Sequence, residues 1–196
     1  MESIGFTLDP HAIVRFPSLT LTKSKEPSSI CILRTSSCAS ITNTPGFYTP
    51  LPPQNLTDAV STKATPDMGI GLFVKRNFKV SDVILSERPL LVFPVGLPSV
   101  NTLPDDEVKK YHDSLFGKTL QQALGAMTKE DADAFMSLSN CYPDLPQAHG
   151  IASTNAFGMD IDEENLKTQL GYSAIGKLAS RVNHRCVVWA LPSSNS

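Results

Sequence analysis

The sequence predicts an α+β fold, in which short strands come first and helices follow. Three observations carry this. Leu72-Phe73-Val74, Val83-Ile84-Leu85 and Leu90-Leu91-Val92-Phe93 are β-rich runs separated by turn-like Asn77, Lys79, Ser81 and Asp82. Beyond Pro98 the apolar spacing turns helical, with Val108, Tyr111 and Leu115 at i, i+3 and i+7. The runs of strands and of helices are sequential and do not alternate, which argues against a doubly wound parallel sheet.

Each stretch has its own reason. Residues 1–65 are rich in Ser, Thr and Pro and lack a sustained period, with Pro45-Gly46 and Pro52-Pro53 among their breakers. Such composition buries too little apolar surface to offset chain entropy, so a disordered leader is expected over 1–65. Within it, Ile30-Cys31-Ile32-Leu33 has the character of a transient strand. From Asp67 the strands above form a meander. Pro104-Asp105-Asp106-Glu107 then opens a helix, with its proline and acids in the first turn, where the dipole favours them. Thr128 with Asp131 is a capping-box-like start for a helix over Lys129 to Leu138. Thr154 to Met159 reads as a turn and a strand, and Asp160 to Asn165 as an acidic solvated loop. Over Ser173 to Asn183, Ile175, Leu178, Ala179 and Val182 make an apolar helical stripe that aims Asn183-His184 at its end.

Composition limits the function classes. The chain has 196 residues, 41% of them hydrophobic, enough for one mid-sized domain with a core. A net charge of −2 advertises no direct nucleic-acid surface. The four cysteines, Cys31, Cys38, Cys141 and Cys186, form no CxxC pair, so neither a zinc finger nor a disulfide scaffold is expected. An intracellular compartment follows by default, in nucleus or cytoplasm. No run reaches the ~18 apolar residues of a membrane span. Arg15, Lys23, Lys25 and Arg34 among serines faintly suggest a transit peptide, but Glu2, Asp9 and Glu26 dilute that pattern.

Three motifs stand out. They are Met68-Gly69-Ile70-Gly71-Leu72-Phe73, continuing through Lys75-Arg76-Asn77-Phe78 to Asp82 and Glu87; Thr154-Asn155-Ala156-Phe157; and Ser180-Arg181-Val182-Asn183-His184-Arg185-Cys186. Singly each is weak: a Gly-x-Gly is usually a tight turn, and this one lacks the third glycine of a dinucleotide fingerprint. Together, in this order, they resemble the SET-type lysine methyltransferase family. The likeness is to the split-SET branch of the SET-and-MYND relatives and covers about Asp67 to Cys186. It implies SET-like small β-sheets, with 95–150 as a helical insertion inside a partial domain over 66–191. It implies transfer of a methyl group from S-adenosylmethionine to the lysine of a protein substrate. Carried over by motif, Met68, Ile70 and Gly71 would approach the cofactor, Asn155 would be a polar neighbour, and Asn183 and His184 would hold its amino group and adenine.

The pattern also breaks. Arg185 stands where the family has Ser, and Val187-Val188-Trp189 follows Cys186 in place of x-Pro-Asn. The segment with the catalytic tyrosine does not follow, and Tyr172 precedes the Asn-His motif, so no catalytic residue is assigned. The spacing of a MYND finger is missing from 95–150, and no metal is expected. The tail 187–196 reads as the end of a truncated or mis-spliced product, an inactive form expected to be monomeric. The alternative is a non-catalytic interaction module built on a degenerate SET scaffold.

Overall fold

The computed structural model describes residues 11–16, 28–35, 37–38, 59–67, 69–95, 105–159 and 171–182. Strands β1 (His11–Phe16), β2 (Ser29–Arg34), β5 (Leu91–Pro94), β6 (Phe157–Met159) and β7 (Tyr172–Ile175) form a sheet in the order β1-β2-β5-β7-β6. β3 (Val60–Thr65) and β4 (Gly69–Val74) form a separate antiparallel pair. Helices α1 (Asp105–Ala126), α2 (Lys129–Met136) and α3 (Gln147–Asn155) lie between β5 and β6 in the chain. A 3-10 turn, Ala179–Arg181, precedes Val182. The architecture is α+β.

The centre of the sheet explains its hydrophobicity. β2 runs parallel to β5, which is antiparallel to β7, and every residue of β2 and β5 is buried. Successive side chains of a strand point to opposite faces, so one strand feeds two packed layers. Ile30, Ile32, Leu91 and Phe93 face the helices, where they meet Leu120, Ala123, Phe135, Leu138 and Ile151. Cys31, Leu33 and Val92 face the other way, into a cluster with Phe16 and Tyr172. Burying each such aliphatic side chain contributes about 1.5–3 kcal/mol.

The helices are anchored by local chemistry. Thr128 Oγ1 accepts from Asp131 N at 3.1 Å and donates to the Asp131 carboxylate at 2.7 Å, which satisfies one orphan donor of α2. α1 has no basic residue in its last turn. Arg15, from β1, supplies that cation by donating to the Ala126 carbonyl, with its other nitrogen 2.8 Å from Ser28 Oγ. α3 starts after Pro146 without a side-chain cap and presents Ile151 and Ala152 to the core.

Several expectations need correction. The leader 1–65 is not uniformly disordered: β1, β2 and β3 fall within it, and β2 is at the centre of the core. Its six-residue runs are too short to show a period, but they gain ladder partners on neighbouring strands. Of the helix expected over Ser173 to Asn183, the described residues Ser173 to Val182 form no α-helix. Tyr172 to Ile175 is a strand hydrogen-bonded on both sides, and Val182 is 54% exposed, so the apolar stripe is an accident of spacing. Val83-Ile84-Leu85 is not a strand: among the described residues nothing pairs with it, and Val83 is 67% exposed. Thr154 and Asn155 end helix α3 instead of forming a turn, while the strand at Phe157–Met159 is present. Within 95–150 the described residues from Asp105 on are largely helical, but their helices form one wall of the core. The acidic 160–165 segment and the tail 187–196 lie outside the described residues.

Candidate functional site

The site is assembled from chain segments far apart in sequence. Gly69 begins β4 at φ 68°, a conformation that L side chains rarely adopt, and Thr65 Oγ1 donates to its carbonyl at 2.8 Å across the hairpin turn. That turn lies on Ser139: a Cβ at Gly69 would stand 3.4 Å from Ser139 Oγ. The Ser139 carbonyl in turn accepts from Asn155 Nδ2 at 2.6 Å.

Asn155 is buried at the last position of α3, and its amide works inward. Nδ2 also donates to the Ile151 carbonyl at 2.8 Å, closing the helix end. Both of these bonds are made by Nδ2, and the side-chain oxygen Oδ1 is an acceptor. The Asn155 backbone carbonyl accepts from Ser180 Oγ at 3.0 Å, and the same hydroxyl accepts from Gly176 N at 3.0 Å. Ser180 therefore ties the helix end to the loop that leaves β7.

The 3-10 turn completes the junction. Ala179–Arg181 packs against β4. Glu87 accepts from Leu178 N at 3.1 and 3.0 Å and from Ala179 N at 2.6 Å. Arg181 donates to Ser137 Oγ at 2.8 Å. The exposed Lys177–Glu130 pair at 3.1 Å adds about 0–1 kcal/mol, as surface ion pairs do.

Of the predicted site residues, Ile70 is 43% exposed and Gly71 is buried on β4, while Asn155 lies across Ser139 from the same hairpin turn. Met68, Asn183 and His184 lie outside the described residues, although Asn183 immediately follows Val182, which leaves the 3-10 turn with its N–H bonded to the Ala179 carbonyl at 2.9 Å. Tyr172 is buried in the sheet, where its hydroxyl accepts from Arg34 N at 3.3 Å and its ring carries the Arg34 guanidinium at 5.6 Å.

Sequence reasoning missed Ser139 and Gly176, and gave Ser180 and Glu87, which stand inside motifs, no role. Lone serines and glycines carry no signal, and the contacts of Glu87 are 91 and 92 residues away. Among the described residues no group of three or more His, Cys, Asp or Glu side chains is arranged to hold a metal. No described helix is long and apolar enough to cross a membrane. Comparison with protein-family models, with curated proteins and with solved structures finds no match to the chain.

Proposed function

We propose that this chain carries the cofactor-facing half of a SET-type protein-lysine methyltransferase domain, with S-adenosylmethionine as its ligand. The observation that supports this reading most is convergence. The Gly69–Gly71 hairpin, Asn155 and the turn leading to Asn183 belong to the segments the resemblance singles out; Ser139 lies against Gly69 and is hydrogen-bonded to Asn155, and Ser180 is hydrogen-bonded to the Asn155 carbonyl.

The residues present suit the chemistry of the ligand. S-adenosylmethionine ends in an ammonium, which needs acceptors, and a carboxylate, which needs donors. Asn155 Oδ1 is an acceptor held at a fixed place by the two bonds of its own amide nitrogen. The glycine turn lets backbone groups come close where a side chain would intrude. Asn183 and His184 complete the carried-over set. The protein substrate would bring a neutral lysine in line with the sulfonium methyl, and positioning would supply most of the acceleration. No side chain is assigned to the chemical step.

The test is a titration of the full chain with S-adenosylmethionine, followed by amide NMR. Shifts confined to Ile70, Gly71, Asn155, Ser180 and their neighbours are expected, with adenosine triphosphate failing to reproduce them. Absence of shifts at millimolar cofactor, or shifts centred elsewhere, would rule the reading out.

A further inference from the structure

The carboxylate of Glu87, which the first motif includes without a role, accepts three hydrogen bonds from the turn beside this site. It sits at the end of the irregular stretch before β5, a position held by the Leu90 N–H bond to the Ile175 carbonyl at 2.8 Å. That bond sets Glu87 beside the chain as it leaves β7. The 3-10 turn that follows begins with backbone N–H groups that its own residues leave unsatisfied, because Leu178 at its N-cap makes no side-chain bond. Glu87 takes both: Oε1 and Oε2 accept from Leu178 N, and Oε1 accepts from Ala179 N at 2.6 Å. Bonds from N–H groups to an ionised carboxylate are among the stronger ones.

The surroundings are shaped around this carboxylate. A Cβ at Gly176 would overlap Glu87 Oε1 and stand 3.1 Å from its Cδ, so the glycine keeps the space the acid occupies. On the other side of the loop, Ser180 Oγ joins Gly176 N to the Asn155 carbonyl. The turn is thus held at one end by Glu87 and at the other by the end of α3, with β4 against it.

We infer that Glu87 is a positioning residue: it clamps the 3-10 turn against β4 and the end of α3, and so sets the direction in which the chain leaves at Val182. The part concerning the cofactor rests on the proposed function. The clamp itself does not.

The experiment compares the full chain with Glu87→Ala, Glu87→Gln, Gly176→Ala and the Glu87→Ala/Gly176→Ala pair. Two quantities are read: hydrogen exchange at the Leu178 and Ala179 amides, and the affinity for S-adenosylmethionine from amide shifts at Gly71 and Asn155. In Glu87→Ala, exchange protection of the two amides falls by on the order of tenfold to a hundredfold, while the amides of β5 keep theirs. Cofactor affinity falls by about tenfold, the scale seen when an outer partner that orients a binding group is lost. Glu87→Gln retains one acceptor oxygen and lies between. Gly176→Ala reproduces the loss by displacing the carboxylate, and adds little once Glu87 is already alanine.

Unchanged protection at Leu178 and Ala179 overturns the clamp. Lost protection with unchanged cofactor affinity overturns the positioning role. Full additivity of the two substitutions shows that glycine and carboxylate act separately, which also contradicts the inference. If Glu87→Ala does not fold, Glu87→Gln and Gly176→Ala carry the same readings. If the unaltered chain shows no cofactor shifts, the proposed function falls with the cofactor part of this inference, and amide exchange alone decides the clamp.

Discussion

Cys31 and Cys141 carry the same thiol in opposite surroundings. Burial within the central strand β2 pushes Cys31 up from its ordinary 9.0 to about 12, with Cys38 nearby adding to the shift, whereas Cys141 is exposed. The thiolate is the reactive form. Alkylation at pH 8 with peptide mapping should therefore label Cys141 well before Cys31, and equal rates would contradict the buried strand. The same shift sets a pH dependence. Below pH 9 both states keep the Cys31 proton, and stability is insensitive to it. Between 9 and about 12 the unfolded chain ionises first, so stability falls as pH rises, by about 1.4 kcal/mol per pH unit. Urea midpoints measured from pH 8 to 11 should fall less steeply in Cys31→Ala. Asn155 and Glu87 both stand inside motifs, yet neither the helix-end bonds of Asn155 nor the contacts of Glu87 with Leu178 and Ala179 were legible there, and Ser139 carried no signal, since these roles arise from partners that only the folded chain brings near.

At the scale of elements, the signals written into neighbouring residues proved readable. Thr128 and Asp131 predicted the start of α2, and the bond between them is present at 3.1 Å. Thr128→Ala should cost about 1 kcal/mol of stability, with Thr128→Ser restoring most of it, by urea denaturation. Gly69 holds φ 68° at the head of β4, so Gly69→Ala should cost about 1 kcal/mol and disturb the hairpin. No loss on that substitution would place the turn in another conformation. β7 was read as a helix because Ile175, Leu178, Ala179 and Val182 match a 3.6 period. Flanking by Gly171 and Gly176 was the better signal, since turn residues at both ends of a short run mark a strand. Partners on both sides bury the strand, and the usual alternation is lost.

Over the whole molecule, the α+β class was legible from the order of its runs, but the extent of the domain was not. β2 lies in a Ser- and Pro-rich stretch whose average composition speaks for disorder, yet Ile30, Ile32 and Leu33 are 2%, 2% and 1% exposed. Composition averages over the breakers around it, whereas the core selects the four apolar residues between them. Ile32→Ala should cost about 2–5 kcal/mol by urea denaturation, as cavity-forming substitutions in a core do. A chain starting at residue 59, without β1 and β2, should lose its cooperative unfolding transition. An unaltered transition would restore the reading of 1–65 as a leader. The central claim, that three distant motifs meet in one S-adenosylmethionine cradle, is tested most directly by photo-crosslinking. Ultraviolet irradiation of the full chain with methyl-labelled cofactor, followed by peptide mapping, should place the label on peptides containing 68–71, 155 or 183–184. Label spread over the helices, or no label at saturating cofactor, would contradict it.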